Sequence, residues 1–171
     1  MRLHKCIFLD RDGVLNRERG DYTYRLEEFE ILDGVKEGLE ILKKSGYLLI
    51  VITNQAGIAK EIYKREDVMK CHAFLQSEIG HLLDDIYFCP NHPIRSQSLL
   101  RKPDSLMLEK AIAKWKINAS DSFMIGDSIR DIEAASKIGV KGVLVGDKEQ
   151  GEITAPKAKN LLDAVNRYII D

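Results

Sequence analysis

The chain has 171 residues, 44% of them hydrophobic, with 26 basic and 27 acidic side chains giving a formal net charge of −1. That length is one domain's worth with room for a sizeable core, and the composition excludes a disordered or fibrous protein. The charges balance and no basic cluster is present, so no field is available to hold a nucleic acid; the longest apolar run, Tyr47 to Ile52, is too short to span a bilayer.

Met1-Arg2-Leu3-His4-Lys5 leads straight into a strand, with no signal-peptide core or cleavage site. Cys6, Cys71 and Cys89 form no CxxC pair and leave an odd count, which fits reduced thiols and a cytoplasmic location. Leu3 to Leu9 reads as a buried central strand, and it delivers Asp10-Arg11-Asp12-Gly13. Side chains at i and i+2 of a strand share a face. Asp10 and Asp12 then face one small volume if the backbone stays extended, and paired carboxylates suit Mg²⁺. An Asp-Gly turn closing a strand is the other reading of these residues, and this stretch alone leaves both open.

Asn16 to Asp33 is polar and reads as a long loop, whose Tyr22, Tyr24 and Arg25 are expected to be solvated, with contact to a ligand as the other reading. Asp33-Gly34 opens a helix with Val35, Leu39 and Leu42 at helical spacing, stopped at Gly46. Tyr47 to Ile52 is continuously apolar, as a buried parallel strand is, and ends in Thr53-Asn54-Gln55. Arg65 to Leu83 places Val68, Cys71, Leu75, Ile79 and Leu82 on one helix face; its His72 and His81 read as packed or solvated rather than as ligands. Asp85 to Cys89 is a short strand, and Pro90 to Pro103 is irregular. Asp104 is the expected N-cap of a helix burying Leu108, Ile112 and Trp115. Then come a strand at Ser122 to Ile125, a turn at Gly126-Asp127-Ser128, a helix from Ile129 to Ile138, a strand from Val140 to Val145, and a closing helix from Lys157 to Ile170.

Strands alternating with helices predict an α/β fold, a doubly wound parallel sheet with helices on both faces, in a single domain over residues 1–171. Ligands of such sheets bind beyond the carboxyl ends of the strands, where strand order reverses. Asp10, Asp12, Thr53, Asn54 and Asp127 all follow strands, and the loop after Cys89 adds Arg101 and Lys102. Carboxylates, a hydroxyl, amides and cations on one sheet edge make a phosphate site. Asp10 and Asp127 with a backbone carbonyl near Asp12 would hold Mg²⁺. Thr53, the amides around Asn54, and Lys102 would face phosphate oxygens, helped if a short helix begins there. One aspartate can attack phosphorus while another moves protons.

The segments Asp10-Arg11-Asp12-Gly13-Val14-Leu15-Asn16, Val51-Ile52-Thr53-Asn54-Gln55-Ala56-Gly57-Ile58-Ala59, Arg101-Lys102-Pro103 and Ile125-Gly126-Asp127-Ser128-Ile129-Arg130-Asp131-Ile132 together resemble the four motifs of the haloacid dehalogenase superfamily of phosphatases. The wording is most similar to the branch of D-glycero-D-manno-heptose-1,7-bisphosphate phosphatases and histidinol phosphatases. The resemblance implies that Asp10 is the nucleophile and Asp12 the general acid/base, which also offers its carbonyl to Mg²⁺. It implies that Thr53 and Lys102 stabilise the phosphoryl group and Arg101 recognises substrate. Asp127 is implied as a metal ligand and Asp131 as a supporting acid; a first-turn helix acid favoured by the dipole is the other reading of Asp131.

Members of that branch carry a zinc loop written Cys-Pro-His, then Cys-x-Cys before Arg-Lys-Pro. Here Cys89-Pro90-Asn91-His92 puts the histidine one place late, and Leu99-Leu100 precedes Arg101, so no structural zinc is expected. Neither long loop can hold a separate cap domain, which leaves an open site. The expected activity is Mg²⁺-dependent hydrolysis of a small phosphorylated metabolite, a sugar phosphate such as heptose bisphosphate, by a monomer or small homo-oligomer. Histidinol phosphate is the alternative substrate. A receiver-like phosphoacceptor domain is the alternative class, against which stands an acid/base two residues after the accepting aspartate.

Overall fold

Apolar runs that are buried on both faces pair into one parallel sheet in the chain's computed structural model, which describes residues 3–147 and 155–170. The strands are β1 (Cys6–Leu9), β2 (Leu48–Asn54), β3 (Asp85–Cys89), β4 (Phe123–Gly126), β5 (Lys141–Val145) and β6 (Lys157–Ala158), in the order β3-β2-β1-β4-β5-β6. β1 explains its own composition: all four residues are fully buried, Ile7 and Leu9 in one core and Cys6 and Phe8 in the other. A strand covered on both faces has no polar face to show, so its sequence cannot alternate.

The first core takes Leu39 and Leu42 of α1 (Val35–Lys44), Leu75 of α2 (Arg65–Glu78) and Leu161 of α5 (Leu161–Ala164). The second takes Met107 and Leu108 of α3 (Leu106–Trp115) with Ala134 and Ala135 of α4 (Ile129–Ser136). The sheet is therefore doubly wound, as the alternation of elements implied. Strand order reverses about β1, which pairs with β2 on one side and β4 on the other, so the crevice expected at a switch point opens at the ends of β1 and β4. No helix among the described residues is long and apolar enough to cross a membrane. Met1, Arg2 and Asp171, at the ends of the expected 1–171 domain, lie outside the described residues.

Several expected boundaries move. The long helix stops at Glu78 rather than Leu83, because His81 N–H bonds Gln76 O at 2.7 Å and Gly80 N–H bonds Ser77 O at 3.2 Å, with Gly80 at φ 77°. That paired closure needs a left-handed residue, which glycine supplies. Asp104 does not cap α3; its N–H closes a turn on Arg101 O at 2.8 Å and its carboxylate meets Lys137 at 3.0 Å, leaving Ser105 at the cap position. The closing helix begins later than expected. Lys157 and Ala158 pair with Leu144 and Val145 as β6, and Asn160 Oδ1 accepts the Asp163 N–H at 2.9 Å to start α5, which continues as a π-helical turn over Val165–Ile169.

The stretch from Asn16 to Asp33 is also more ordered than a solvated loop. Asn16 pairs with Ile31, Leu26–Glu28 form a 3₁₀ turn, and Phe29 is buried in the core. Tyr22 and Tyr24 are half-buried against Tyr63, at 5.7 and 5.0 Å between ring centroids; only Arg25 is exposed as expected. His81 is exposed, whereas His72 is buried edge-on to Phe88 at 5.7 Å.

Burial, and then the nearby Arg11 charge, push the His72 pKa down to about 3. In the unfolded chain imidazole titrates near 6.5. Between those values only the unfolded state takes up the proton, so this residue makes stability fall as pH drops, by about 1.4 kcal/mol per pH unit. His72→Gln is expected to flatten the pH dependence of urea unfolding between pH 4 and 6; identical slopes in both proteins would contradict this.

Candidate active site

The crevice floor is built by Lys102. The Lys102 side chain is 2% exposed, and its ammonium lies 3.0 Å from Asp10 Oδ1 and 2.7 Å from Asp131 Oδ1 and donates to Ile52 O at 2.7 Å. All three donors are thereby used, the condition under which a buried charge is tolerated. Burial draws the Lys102 pKa down, but Asp10 and Asp131 more than reverse this, and the net shift is upward. Asp10 moves up from the usual carboxylate range: burial outweighs the pull of Lys102, and Asp131 and Asp12 add to it.

Asp10 leaves β1 with its N–H on Ile125 O of β4 at 3.0 Å, and Asp127 leaves β4 beside it. Carboxylate oxygens of Asp10, Asp127 and Asp131 lie within 4.8 Å of one another. Three acids against one ammonium leave surplus negative charge among hard oxygen donors, and such a set fits a metal cation. Gly13, at φ 81°, admits this packing: the Asp127 carboxylate occupies the space a Cβ would need. Asp131 Oδ2 caps α4 by accepting the Ser128 N–H at 3.0 Å, while its Oδ1 pairs with Lys102.

Asp12 departs from the expected geometry. The chain does not stay extended through Arg11; the N–H groups of Val14, Leu15 and Asn16 converge on Arg11 O at 3.3, 2.8 and 3.1 Å. Asp12 and Asp10 still line one cavity, but the Asp12 carboxylate stands apart from the three-acid group. Its Oδ1 accepts from Arg11 Nη2 and Asn16 Nδ2, both at 2.9 Å, and its Oδ2 accepts from Gln55 Nε2 at 3.0 Å. Arg11 itself is 1% exposed and also donates to Thr23 O at 2.8 Å, tying the following loop to the turn.

Asn54 points at Lys102 rather than outward. Its Nδ2 donates to Lys102 O and its Oδ1 accepts the Lys102 N–H, both at 3.1 Å, so its side chain clamps the loop that carries the lysine. Thr53 is buried, its hydroxyl accepting from Gln55 Nε2 at 3.0 Å. Turns, not a helix, follow Asn54. The cavity measures about 940 Å³ and is lined by Asp10, Asp12, Asn54, Arg101, Lys102, Asp127 and Asp131 among the residues singled out from sequence. Lys60, His92 and Arg130 join Arg101 in its lining. Burial, and then Arg130, draw the Arg101 guanidinium down from its usual value.

The loop after β3 is held by short local bonds: Asn91 Nδ2 to Ser96 Oγ at 3.0 Å, Arg95 N–H to His92 O at 2.9 Å, and Arg101 Nη1 to Asn91 O at 3.1 Å. His92 Nδ1 accepts the Ile94 N–H at 3.2 Å. Gln55, Arg11, Asn16 and Tyr63 went unassigned from sequence. The first three lie inside the motifs and had a signal, being polar residues beside the strand ends; Tyr63 had none.

Residues 12–145 match the family described as Haloacid dehalogenase-like hydrolase. The chain belongs to the haloacid dehalogenase-like hydrolases. It is an enzyme, a phosphatase of that family. The D-glycero-beta-D-manno-heptose-1,7-bisphosphate 7-phosphatase of Photorhabdus laumondii is 38% identical over 168 residues, covering 92% of this chain and 88% of its own. The D-glycero-D-manno-heptose-1,7-bisphosphate 7-phosphatase of Chlorobaculum tepidum is 33% identical, covering 99% and 96%. Among solved structures, a D,D-heptose 1,7-bisphosphate phosphatase from B. bronchiseptica complexed with magnesium and phosphate superposes with a TM-score of 0.85 at 23% identity, covering 95% of this chain and 97% of that one. As a fold comparison, it places this haloacid dehalogenase-like hydrolase on the same doubly wound scaffold.

Removing the central cation strands buried carboxylates in this hydrolase. Lys102→Met is expected to lower stability by about 3–5 kcal/mol, measured by urea unfolding at pH 8 in chelator. A loss under about 1 kcal/mol would show that the acids find other partners.

Proposed function

We propose that this phosphatase is a Mg²⁺-dependent phosphomonoesterase acting on a sugar bisphosphate of the D-glycero-D-manno-heptose 1,7-bisphosphate kind. The observation that carries the reading is one cavity uniting the acid cluster with Lys60, His92, Arg101 and Arg130. The charges of Lys60, Arg101 and Arg130 exceed what one phosphoryl group over the acids needs, and they suit a second phosphate. The relatives at 33–38% identity bear the name of such a bisphosphatase. Histidinol phosphate carries a single phosphate and leaves these cationic groups unmet.

In this reading an Asp10 carboxylate oxygen attacks phosphorus, the bond to the sugar oxygen breaks, and Asp12 gives its proton to the departing alkoxide. Asp12 then takes a proton from water, whose oxygen attacks the aspartyl-phosphate, releasing phosphate and restoring Asp10. Lys102 holds Asp10 in place, Asn54 holds Lys102, and Arg101 binds substrate. Thr53, buried beneath the cavity, supports the site by accepting a bond from Gln55. Asp10, Asp127 and the Asp12 carbonyl would hold Mg²⁺, with Asp131 supporting them; when bound, the ion supplies positive charge to the phosphoryl oxygens. A single domain over 1–171, without zinc in the 90–100 loop, acting in the cytoplasm as a monomer or small homo-oligomer, completes the proposal. A receiver-like role is disfavoured because Asp12 stands two residues after Asp10 with three donors fixing its carboxylate.

Asp10→Asn is expected to lower kcat on heptose 1,7-bisphosphate by at least about 10³-fold, and chelator to abolish turnover reversibly on Mg²⁺ return. An active Asp10→Asn protein, or turnover in chelator, contradicts the mechanism. Arg130→Ala is expected to raise KM roughly 10-fold for the bisphosphate and much less for a heptose monophosphate; equal changes would remove Arg130 from the second-phosphate site. Metal analysis of the purified protein is expected to find no stoichiometric zinc, and one equivalent would overturn that part of the proposal.

A further inference from the structure

Asp12 is held unevenly, and the unevenness marks one oxygen for the chemistry. Oδ1 already accepts from Arg11 Nη2, from Arg11 Nε at 3.3 Å and from Asn16 Nδ2, which leaves it no room for a proton. Oδ2 accepts from Gln55 Nε2 alone among the described residues. The free lone pair of Oδ2 is therefore where a transferable proton sits, and Gln55 decides where that lone pair points. Carboxylate torsions are soft. Without Gln55 the group can pivot about its Oδ1 bonds.

Gln55 is in turn fixed by Tyr63. An amide turned end for end would keep its shape and present an acceptor to Asp12 instead of a donor. Here Oε1 accepts the Tyr63 hydroxyl at 2.8 Å, while both protons of Nε2 go to Asp12 and Thr53. Gly57 is required for this approach, because the Tyr63 ring fills the space of a Cβ. The ring is then clasped by Tyr24 and Tyr22, and Tyr22 lines the cavity.

We infer that Gln55 and Tyr63 are positioning residues for the proton transfer: Tyr63 sets the amide of Gln55, which aims Oδ2 of Asp12 at the leaving oxygen. The inference rests on the reading of Asp12 as acid/base. The proton on Oδ2 goes to the sugar oxygen as the phosphorus–oxygen bond breaks, and the water of the second step returns it.

A leaving group that needs no proton separates positioning from folding. The readout is the ratio of kcat/KM on heptose 1,7-bisphosphate to kcat/KM on 4-nitrophenyl phosphate, because kcat/KM ends at phosphoryl transfer and nitrophenolate departs unprotonated. Gln55→Leu is expected to drop that ratio roughly 10- to 100-fold and Tyr63→Phe, which keeps every ring contact, roughly 5- to 10-fold. Asp12→Asn, the control, is expected to drop it further. If Asp12→Asn drops the ratio and the other two variants leave it at the wild-type value, the positioning role is overturned. If Asp12→Asn also leaves the ratio unmoved, the acid/base reading itself fails, and this inference with it.

Discussion

One buried ammonium ties the strand ends together. Lys102 binds Asp10 at the end of β1, Ile52 O of β2 and Asp131 in the first turn of α4, while Asn54 grips its backbone from β2. A charge taken out of water is tolerated only when its partners stay put, so each of these elements loses the freedom to shift alone. The result is a rigid floor at the switch point. It is also electrostatically incomplete: three carboxylates crowd one cation, and Asp10 is driven up by burial because its compensation is insufficient. The same feature that fixes the fold locally makes the cavity a place for additional positive charge.

Two aspartates that look equivalent in sequence are separated by the turn between them. Had the strand continued, Asp10 and Asp12 would have shared a face. Instead three N–H groups converge on Arg11 O, and the chain reverses direction there. Asp10 stays with Lys102, whereas Asp12 moves into a separate set of donors from Arg11, Asn16 and Gln55. On the proposed reading this division serves two incompatible needs. A nucleophile works beside cations, and a proton carrier needs an oxygen that cations do not claim.

Continuous apolar runs made the strands legible, since burial on both faces leaves little else for β1, β2 and β5 to be. The residues that collect at the crevice were legible for a related reason, as polar residues placed directly after such runs. What stayed hidden depended on partners far away in sequence. Gln55 lies next to two residues singled out, but its bond to Tyr63 eight residues on cannot be read from spacing. Tyr22 and Tyr24 look like loop residues until Tyr63 is brought against them. Ser105 displaced Asp104 at the α3 cap because a turn on Arg101 had already used Asp104, and β6 is two residues long, too short to carry a period.

Among the described residues, two irregular segments wall the cavity, and each is stiffened by a different device. The 90–100 segment is braced by bonds from Asn91 and His92 within it and from Arg101 just after it. The 17–25 segment is anchored by Arg11 on Thr23 O and by its tyrosines on Tyr63. Because Arg11 and Tyr63 both reach Asp12, directly or through Gln55, that second wall and the Asp12 carboxylate share supports. A ligand that presses on Tyr22 therefore acts on the Asp12 carboxylate through three contacts, by way of Tyr63 and Gln55. On the proposed reading, specificity and proton transfer share one support on that side of the cavity. On the cationic side, Arg101 precedes Lys102 directly, so a ligand held there bears on the lysine that holds Asp10.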